Sequence, residues 1–415
     1  MLAPLLIAHA LGGTTTLSAT IPAAFLVAMV LLVGLHLRIR HTVPPIAVVV
    51  AIWLGVVQTL PLWWGSLVGD PLMLGDLANV AVKPMVFVVL VGLFYRASIT
   101  VSELTVLTYR FSLLVFFVSL YGFVAGLASF VGMTPGMSSY SVDYSSFLAN
   151  RNQFGMLVFL GVASLLLTRA MRGPQRHDLL IGITLLISVA LTMSRGSLLG
   201  VAILLGIVAA ARKTTVFFLF LAPTLLLTAV VASLHPFVRL YVVQFFIRPD
   251  VGLSGRNEIW AIGLALVFER PLQGWGSFVG LAEAEALGMG VGQFHSFWLE
   301  QLIDWGTIGL LTMLVLLFVV WGRAYRPAPA PVRRVLLGTG AGAIAMGTFE
   351  SISVLSVGYV DIVWTISLMT IPVLIARVAW YSTDRRRVEG DFRQVDRSAG
   401  REQRFRGEIR SAGDG

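Results

Sequence analysis

Three positions in the 415-residue chain pair a side chain capable of chemistry with a turn that could present it. They are Arg195 in Ser194-Arg195-Gly196, Arg256 in Gly255-Arg256-Asn257-Glu258, and His295 in Phe294-His295-Ser296. A guanidinium is a planar fork of donors that matches phosphate and carboxylate. An imidazole, neutral near pH 7, suits a general base, a role typically worth about 10²–10⁴-fold in rate. Gly196 permits a sharp reversal, and a helix beginning there brings free backbone N–H groups beside Arg195, a ready anion site. The competing reading is an arginine snorkelling to the membrane interface. Arg256 also opens a helix, where a salt bridge to Glu258 or a cap contact competes with anion binding. His295 precedes Ser296, which can cap the next helix, and a histidine there could equally be structural. Ser296, Glu300 and Asp304 recur every four residues as a polar stripe leading away from His295. The stripe could orient the imidazole or pack against other helices. No metal is expected, because His295 has no partner at ligand spacing and Asp143, Glu283 and Glu285 are isolated.

The elements that must hold these residues are membrane helices. The chain is 57% hydrophobic and 12% charged, against roughly 45–50% and 25% for a soluble domain. With no cysteine, a disulfide scaffold and a thiolate metal site are excluded. The net charge of +9 is almost all arginine, the lysines being Lys83 and Lys213; GC-rich coding or a need to grip phosphate would each produce this. The basic residues lie in short loops and a tail, without the basic and aromatic surface that nucleic acid requires. The start, Met1-Leu2-Ala3-Pro4, has no charged region before its apolar run and reads as a first membrane helix rather than a cleaved signal.

A span needs about 20 apolar residues. That rule gives about twelve, over approximately 2–17, 20–37, 44–63, 76–95, 104–131, 150–169, 179–194, 197–211, 214–233, 298–321, 335–355 and 359–380. Threading them puts Arg38 and Arg40, Arg96, Arg169, Arg172 and Arg176, Arg212 and Lys213, Arg323, Arg326, Arg333 and Arg334, and Arg385 to Arg387 on one side. Both termini are therefore expected in the cytoplasm. Arg195, Arg256 and His295 fall on the other side, where arginine is normally avoided. A charge at the bilayer centre costs about 2.5–3.5 kcal/mol on insertion scales, so arginines at that edge need partners, and an anionic ligand would supply one. The same side receives Trp63 and Trp64, suited to an interfacial belt, together with Asp70, Asp76, the loop 132–149 and the long segment 234–297.

Within that segment, Pro236 to Arg248 is apolar with Arg239, Gln244 and Arg248 on one helical face, which predicts a helix lying along the membrane surface. Residues 256–268 form a second helix candidate, followed by joints at Gly274-Trp275-Gly276 and Gly288-Met289-Gly290 that read as flexible. The membrane domain is expected over 1–380. The Arg-rich tail 381–415, with few apolar residues, reads as cytoplasmic and disordered, at most a weak anchor to anionic lipid.

Taken together, these residues resemble the O-antigen ligase and polymerase superfamily of multi-spanning bacterial glycosyltransferases, over about residues 145–310. His295-Ser296, nine residues, then Gly306-Thr307-Ile308-Gly309 is similar to the ligase-type pattern of His, then Asn, Ser or Gln, nine residues, Gly, two residues, Gly. Ser194-Arg195-Gly196 resembles the family's arginine turn. Gly255-Arg256 through Trp260, then Phe268, Pro271, Gly274 and Gly276, resembles its external-loop signature, and Asn150-Arg151-Asn152-Gln153-Phe154-Gly155 its Asn-rich span start. The resemblance implies an all-α integral membrane protein of the bacterial inner membrane, with a large periplasmic catalytic loop, 234–297, carrying short helices between the ninth and tenth spans. It implies transfer of a glycan from undecaprenyl diphosphate to a hydroxyl, on lipid A core in ligases, without metal, nucleotide or other cofactor. Arg195 and Arg256 would then clamp the diphosphate. His295 would take the acceptor proton during inverting attack, and Arg151, Asn152, Arg239 and Arg248 would be secondary substrate contacts.

Polymerases of O-antigen or exopolysaccharide share these features and often carry a larger additional outer loop; the modest length of 132–149 leans toward a ligase. A secondary anion transporter is the alternative from a different class. Such proteins use broken helices related by internal repeats. No paired broken helices are visible in the sequence, where Arg110 is the clearest charge inside a span.

Overall fold

The computed structural model describes residues 45–70, 74–92, 99–131, 150–192, 194–210, 256–290, 292–352, 354–355 and 359–378. The expected spans at 2–17, 20–37 and 214–233, the loop 132–149, the surface helix with Arg239 and Arg248, and the tail 381–415 lie outside them. Among the described residues all regular structure is helical. The elements are α1 (Pro45–Val68), α2 (Leu74–Phe87, continued by a π-turn at Val88–Gly92), α3 (Val101–Val131), α4 (Arg151–Arg172), α5 (Arg176–Leu191) and α6 (Arg195–Ala210). They continue with α7 (Arg256–Glu269), α8 (Ser277–Ala286), α9 (Phe297–Tyr325), α10 (Ala330–Gly347) and α11 (Tyr359–Thr365, continued by a π-turn at Ile366–Thr370). Four of these helices, α1, α3, α4 and α9, are long and apolar enough to cross a membrane.

Local chemistry fixes where the helices turn. Asn150 caps α4 by accepting from the Asn152 N–H at 2.7 Å, and Gly173 ends it at φ 87°. The last turn of α4 carries Arg172, which grips the buried Asp178 at the start of α5 at 2.7 Å. Helix α5 returns, α6 starts after Ser194, α9 runs from Ser296 to the arginine end at Arg323, and α10 returns again. Arg169, Arg172, Arg323 and Arg333 therefore stand at one end of the bundle, and Asn152, Ser194, Ser296 and Glu350 at the other. The apolar run over 335–355 is helical only to Gly347. The Thr348 and Phe349 N–H groups close it on Ala345 and Met346, so Glu350 lies in a turn beyond the helix. Helices α6 and α10 approach through glycine: a Cβ at Gly342 would stand 2.6 Å from the Gly200 carbonyl oxygen, the close backbone contact that small residues allow in lipid.

Residues 256–303 form a module with its own apolar core, built from Ile259, Leu266, Trp275, Val279, Phe294, Leu299 and Ile303. It is moored to the turn between α1 and α2. Arg270 makes a two-pronged ion pair with Asp70, one prong at 2.9 Å, while its guanidinium lies 3.5 Å from the Trp275 ring centroid. The Asp76 carboxylate accepts from the Phe278 and Val279 N–H groups at 3.0 and 3.1 Å, where α8 begins and its unpaired N–H groups favour an anion. Asp70 and Asp76 thus share one end of the molecule with this module, as the threading requires.

Helix α9 is broken. Gly306 sits at φ 62°, ψ −168°, and residues 271–276 wedge into the gap. The Ile303 and Asp304 carbonyls, freed by the break, accept from the N–H groups of Trp275 and Gly276 at 2.7 and 3.0 Å. The N–H groups of Thr307 and Ile308 donate to the carbonyls of Pro271 and Leu272 at 2.8 and 3.3 Å. The glycines at 274 and 276 are consequently fixed rather than free: a Cβ on Gly274 would meet the Gly306 nitrogen at 2.5 Å, and one on Gly276 the Asp76 carboxylate at 2.9 Å. Beneath the break, the buried Lys83 ammonium stands 3.8 Å from the centroid of the Trp305 ring, within electrostatic reach of Asp304 and Asp76.

Candidate functional site

The residues singled out in the sequence converge on one that was not, Glu350. Its carboxylate is buried, the residue being 3% exposed, and Arg256 at the start of α7 faces it with Nη2 3.5 Å from Oε1. The side chains of Asn152, on the first turn of α4, and Ser194, at the start of α6, also face it and act to lower its proton affinity. A Cβ built on Gly196 would lie 3.0 Å from Glu350 Cγ, so the carboxylate side chain presses against the residue that follows Arg195. The Glu350 carbonyl accepts from the Phe297 N–H at 3.1 Å, two residues beyond His295. Glu350, rather than Glu258, is the ion-pair partner of Arg256 among the described residues. Burial pushes the Glu350 carboxyl up to about 7, against the opposing pull of Arg256.

Arg195 opens α6 behind the Ser194 cap, whose hydroxyl accepts from the Ser197 N–H at 3.4 Å. Its guanidinium Nε and Nη2 are buried and have no hydrogen-bond partner among the described residues. A buried donor without a partner costs about 1–3 kcal/mol, more when charged. This argues for an anion as partner over a snorkelling arginine, whose head would be hydrated.

His295 adopts φ 52°, a left-handed conformation found in a small minority of non-glycine residues, of which Asn, Asp and His enter it most readily. Both neighbours are pinned. The Phe294 carbonyl accepts from Trp260 Nε1 at 3.0 Å, its N–H donates to Glu300 at 3.1 Å, and Ser296 caps α9 by accepting from Leu299. Partial burial and the nearby Arg256 charge both lower the imidazole below its ordinary 6.5, which keeps it neutral and able to accept a proton. Of the polar stripe, Glu300 also accepts from the Ser351 hydroxyl and Asp304 from Ser277 at 2.7 Å. These bonds hold the module to the bundle.

The structure therefore brings Arg256, His295 and Asn152 to one cluster with the α6 turn that bears Arg195. Arg151 stands beside Asn152 in the first turn of α4, half-buried. Arg239 and Arg248 lie outside the described residues. No group of three or more His, Asp or Glu side chains is placed to hold a metal among the described residues. Glu350 carried a signal, as an acid inside an apolar run; its partners, drawn from three distant segments, were not legible.

The cluster can do two things chemically: neutralise an anion with guanidinium groups in a water-poor place, and offer a neutral imidazole beside it. Comparison with curated proteins finds no significant match. Residues 180–314, which contain Arg195, Arg256, His295, the wedge and the break at Gly306, match the family model described as O-antigen ligase.

Proposed function

We propose that the protein is a membrane glycosyltransferase of O-antigen ligase type, moving a glycan from undecaprenyl diphosphate to a hydroxyl of lipid A core at the periplasmic face. Arg195 and Arg256 bind the diphosphate and neutralise the charge that builds on it as the leaving group. His295 takes the proton of the acceptor hydroxyl while its oxygen bonds to the anomeric carbon. The bond from that carbon to the diphosphate breaks, with inversion and without a metal. Asn152, Arg151, Arg239 and Arg248 would be secondary contacts to donor or acceptor.

The observation that carries this reading is the Arg195 guanidinium, whose buried Nε and Nη2 have no hydrogen-bond partner among the described residues, on the turn that abuts Glu350 and thereby Arg256. The broken helix does not favour a transporter. Unwound carbonyls coordinate ions in such proteins, whereas the Ile303 and Asp304 carbonyls accept bonds from the wedge.

The test uses purified protein in lipid nanodiscs, given a lipid-linked glycan and either lipid A core or a second lipid-linked glycan. Transfer to lipid A core is expected, with His295→Ala and Arg195→Ala each at least about 10²-fold slower. Undiminished transfer by His295→Ala removes the base; product formed only on the second lipid-linked glycan makes the protein a polymerase.

A further inference from the structure

Resting on the diphosphate-site reading, we propose that Glu350 is an internal counter-ion: an incoming diphosphate displaces it from Arg256, and it takes up one proton as it lets go. Glu350 is held by Arg256 at 3.5 Å, with the two side chains 4% and 14% exposed, respectively, and faces Asn152 and Ser194. Its Cγ and Oε1 stand 3.0 and 3.3 Å from where a Gly196 side chain would begin. The carboxylate thus fills the ground between the start of α7 and the start of α6, where a ligand shared by Arg256 and Arg195 would have to sit.

Two anions cannot both remain there. A diphosphate carries at least two negative charges, and like charges in a buried site raise the proton affinity of the weaker acid. The groups facing Glu350 from its neighbours are Arg256 on α7, Asn152 on α4 and Ser194 before α6; the cationic groups of the cluster are Arg256 and, next to Gly196 on the α6 turn, Arg195, with the His295 imidazole held neutral beside Arg256. Once Arg256 and Arg195 both pair with the ligand, neither guanidinium is left to offset the carboxylate charge, and protonation is the cheaper state. Asn152 and Ser194 can hydrogen-bond the neutral acid as well as the ion.

The sign of the pH effect follows. Glu350 titrates at about 7 in the free protein and higher in the complex. Below pH 7 it is already protonated and anion affinity does not depend on it. Above pH 7 binding must draw a proton from solution, so affinity falls about tenfold per pH unit relative to a variant that cannot titrate.

The experiment is calorimetric titration of inorganic pyrophosphate into the full-length detergent-solubilised protein, from pH 6.5 to 8.5, in two buffers of different ionisation enthalpy. Wild type and Glu350→Gln are compared so that titration of the probe cancels. Expected are close to one extra proton taken up by wild type at pH 8, and a dissociation constant that rises about tenfold more steeply per unit above pH 7 than that of the variant. Equal slopes and equal proton uptake overturn the exchange while leaving the anion site standing. If Glu350→Gln does not fold, buffer-dependent proton uptake by wild type alone decides, and no uptake beyond that of the probe overturns it. Wild type that binds pyrophosphate no better than Arg195→Ala overturns the diphosphate site itself, and the exchange with it.

Discussion

Gly306→Ala should disable the protein although Gly306 has no place in the proposed chemistry. The added Cβ would stand 2.2 Å from the Leu272 carbonyl oxygen and 2.7 Å from the Gln273 nitrogen. Both are main-chain atoms, so no rotamer change relieves the contact. The backbone at φ 62°, ψ −168° is itself a region essentially reserved for glycine, costing other residues about 1–3 kcal/mol. Withdrawing the wedge opens the bonds from Thr307 to Pro271 and from Ile308 to Leu272, and each buried donor left unpaired costs about 1–3 kcal/mol. The sum, about 3–9 kcal/mol, rivals the whole stability of an ordinary domain, about 5–15 kcal/mol. The assay is thermal unfolding in detergent, followed by tryptophan fluorescence, with glycan transfer measured on the same preparations. Gly322→Ala is the control, a glycine of the same helix whose added Cβ meets nothing within 4 Å; it should melt with wild type. Gly306→Ala that melts and transfers like Gly322→Ala would refute the wedge.

Two further outcomes test the mooring and the base. Asp70→Ala and Arg270→Ala should each destabilise by about 3 kcal/mol or more, since each strands a largely buried charge, while the double variant should lose less than the sum by about 1–3 kcal/mol; strict additivity in denaturant titrations would count against the pair. For His295 the active form is the neutral imidazole, and its proton affinity is lowered. The acid limb of kcat/KM should therefore fall at a pH below 6.5, and Arg256→Ala, which removes one of the two depressing causes, should move that limb upward in its residual activity; an unmoved limb would separate Arg256 from the base.

Helix positions were largely legible because lipid imposes them: apolar runs at 44–63, 104–131, 150–169 and 298–321 became α1, α3, α4 and α9. The caps at Asn150 and Ser296 were legible for a local reason, a short polar side chain just before an apolar run. What the sequence hid is what depends on pairing across it. Arg270, within the segment 234–297, is held by Asp70 of another loop, about 200 residues away, and nothing local marks the pair. Gly274 and Gly276 looked like hinges because a glycine chosen for freedom and one chosen for lack of bulk are identical in sequence. Glu350 was read as part of a span because hydropathy averages a single acid away, whereas the helix ends three residues before it.

These hidden pairings explain why candidate residues scattered from Asn152 to Glu350 meet. Arg256 and the Trp260 bond to Phe294 belong to the module; Arg195, Asn152 and Glu350 belong to the bundle. His295 is pinned from both sides, by Trp260 through the Phe294 carbonyl and by the Glu350 carbonyl through Phe297. The spacing of the two guanidiniums is therefore set by neither body alone but by the seam between them. That seam is closed by the Asp70–Arg270 pair, the Asp76 cap on α8 and the wedge at Gly306. In a lipid-facing protein the hydrophobic effect supplies little force to close such a seam. Ion pairs, a helix-terminus carboxylate and main-chain bonds inside a broken helix are the interactions left to do it, and each is where a polar group would otherwise be stranded.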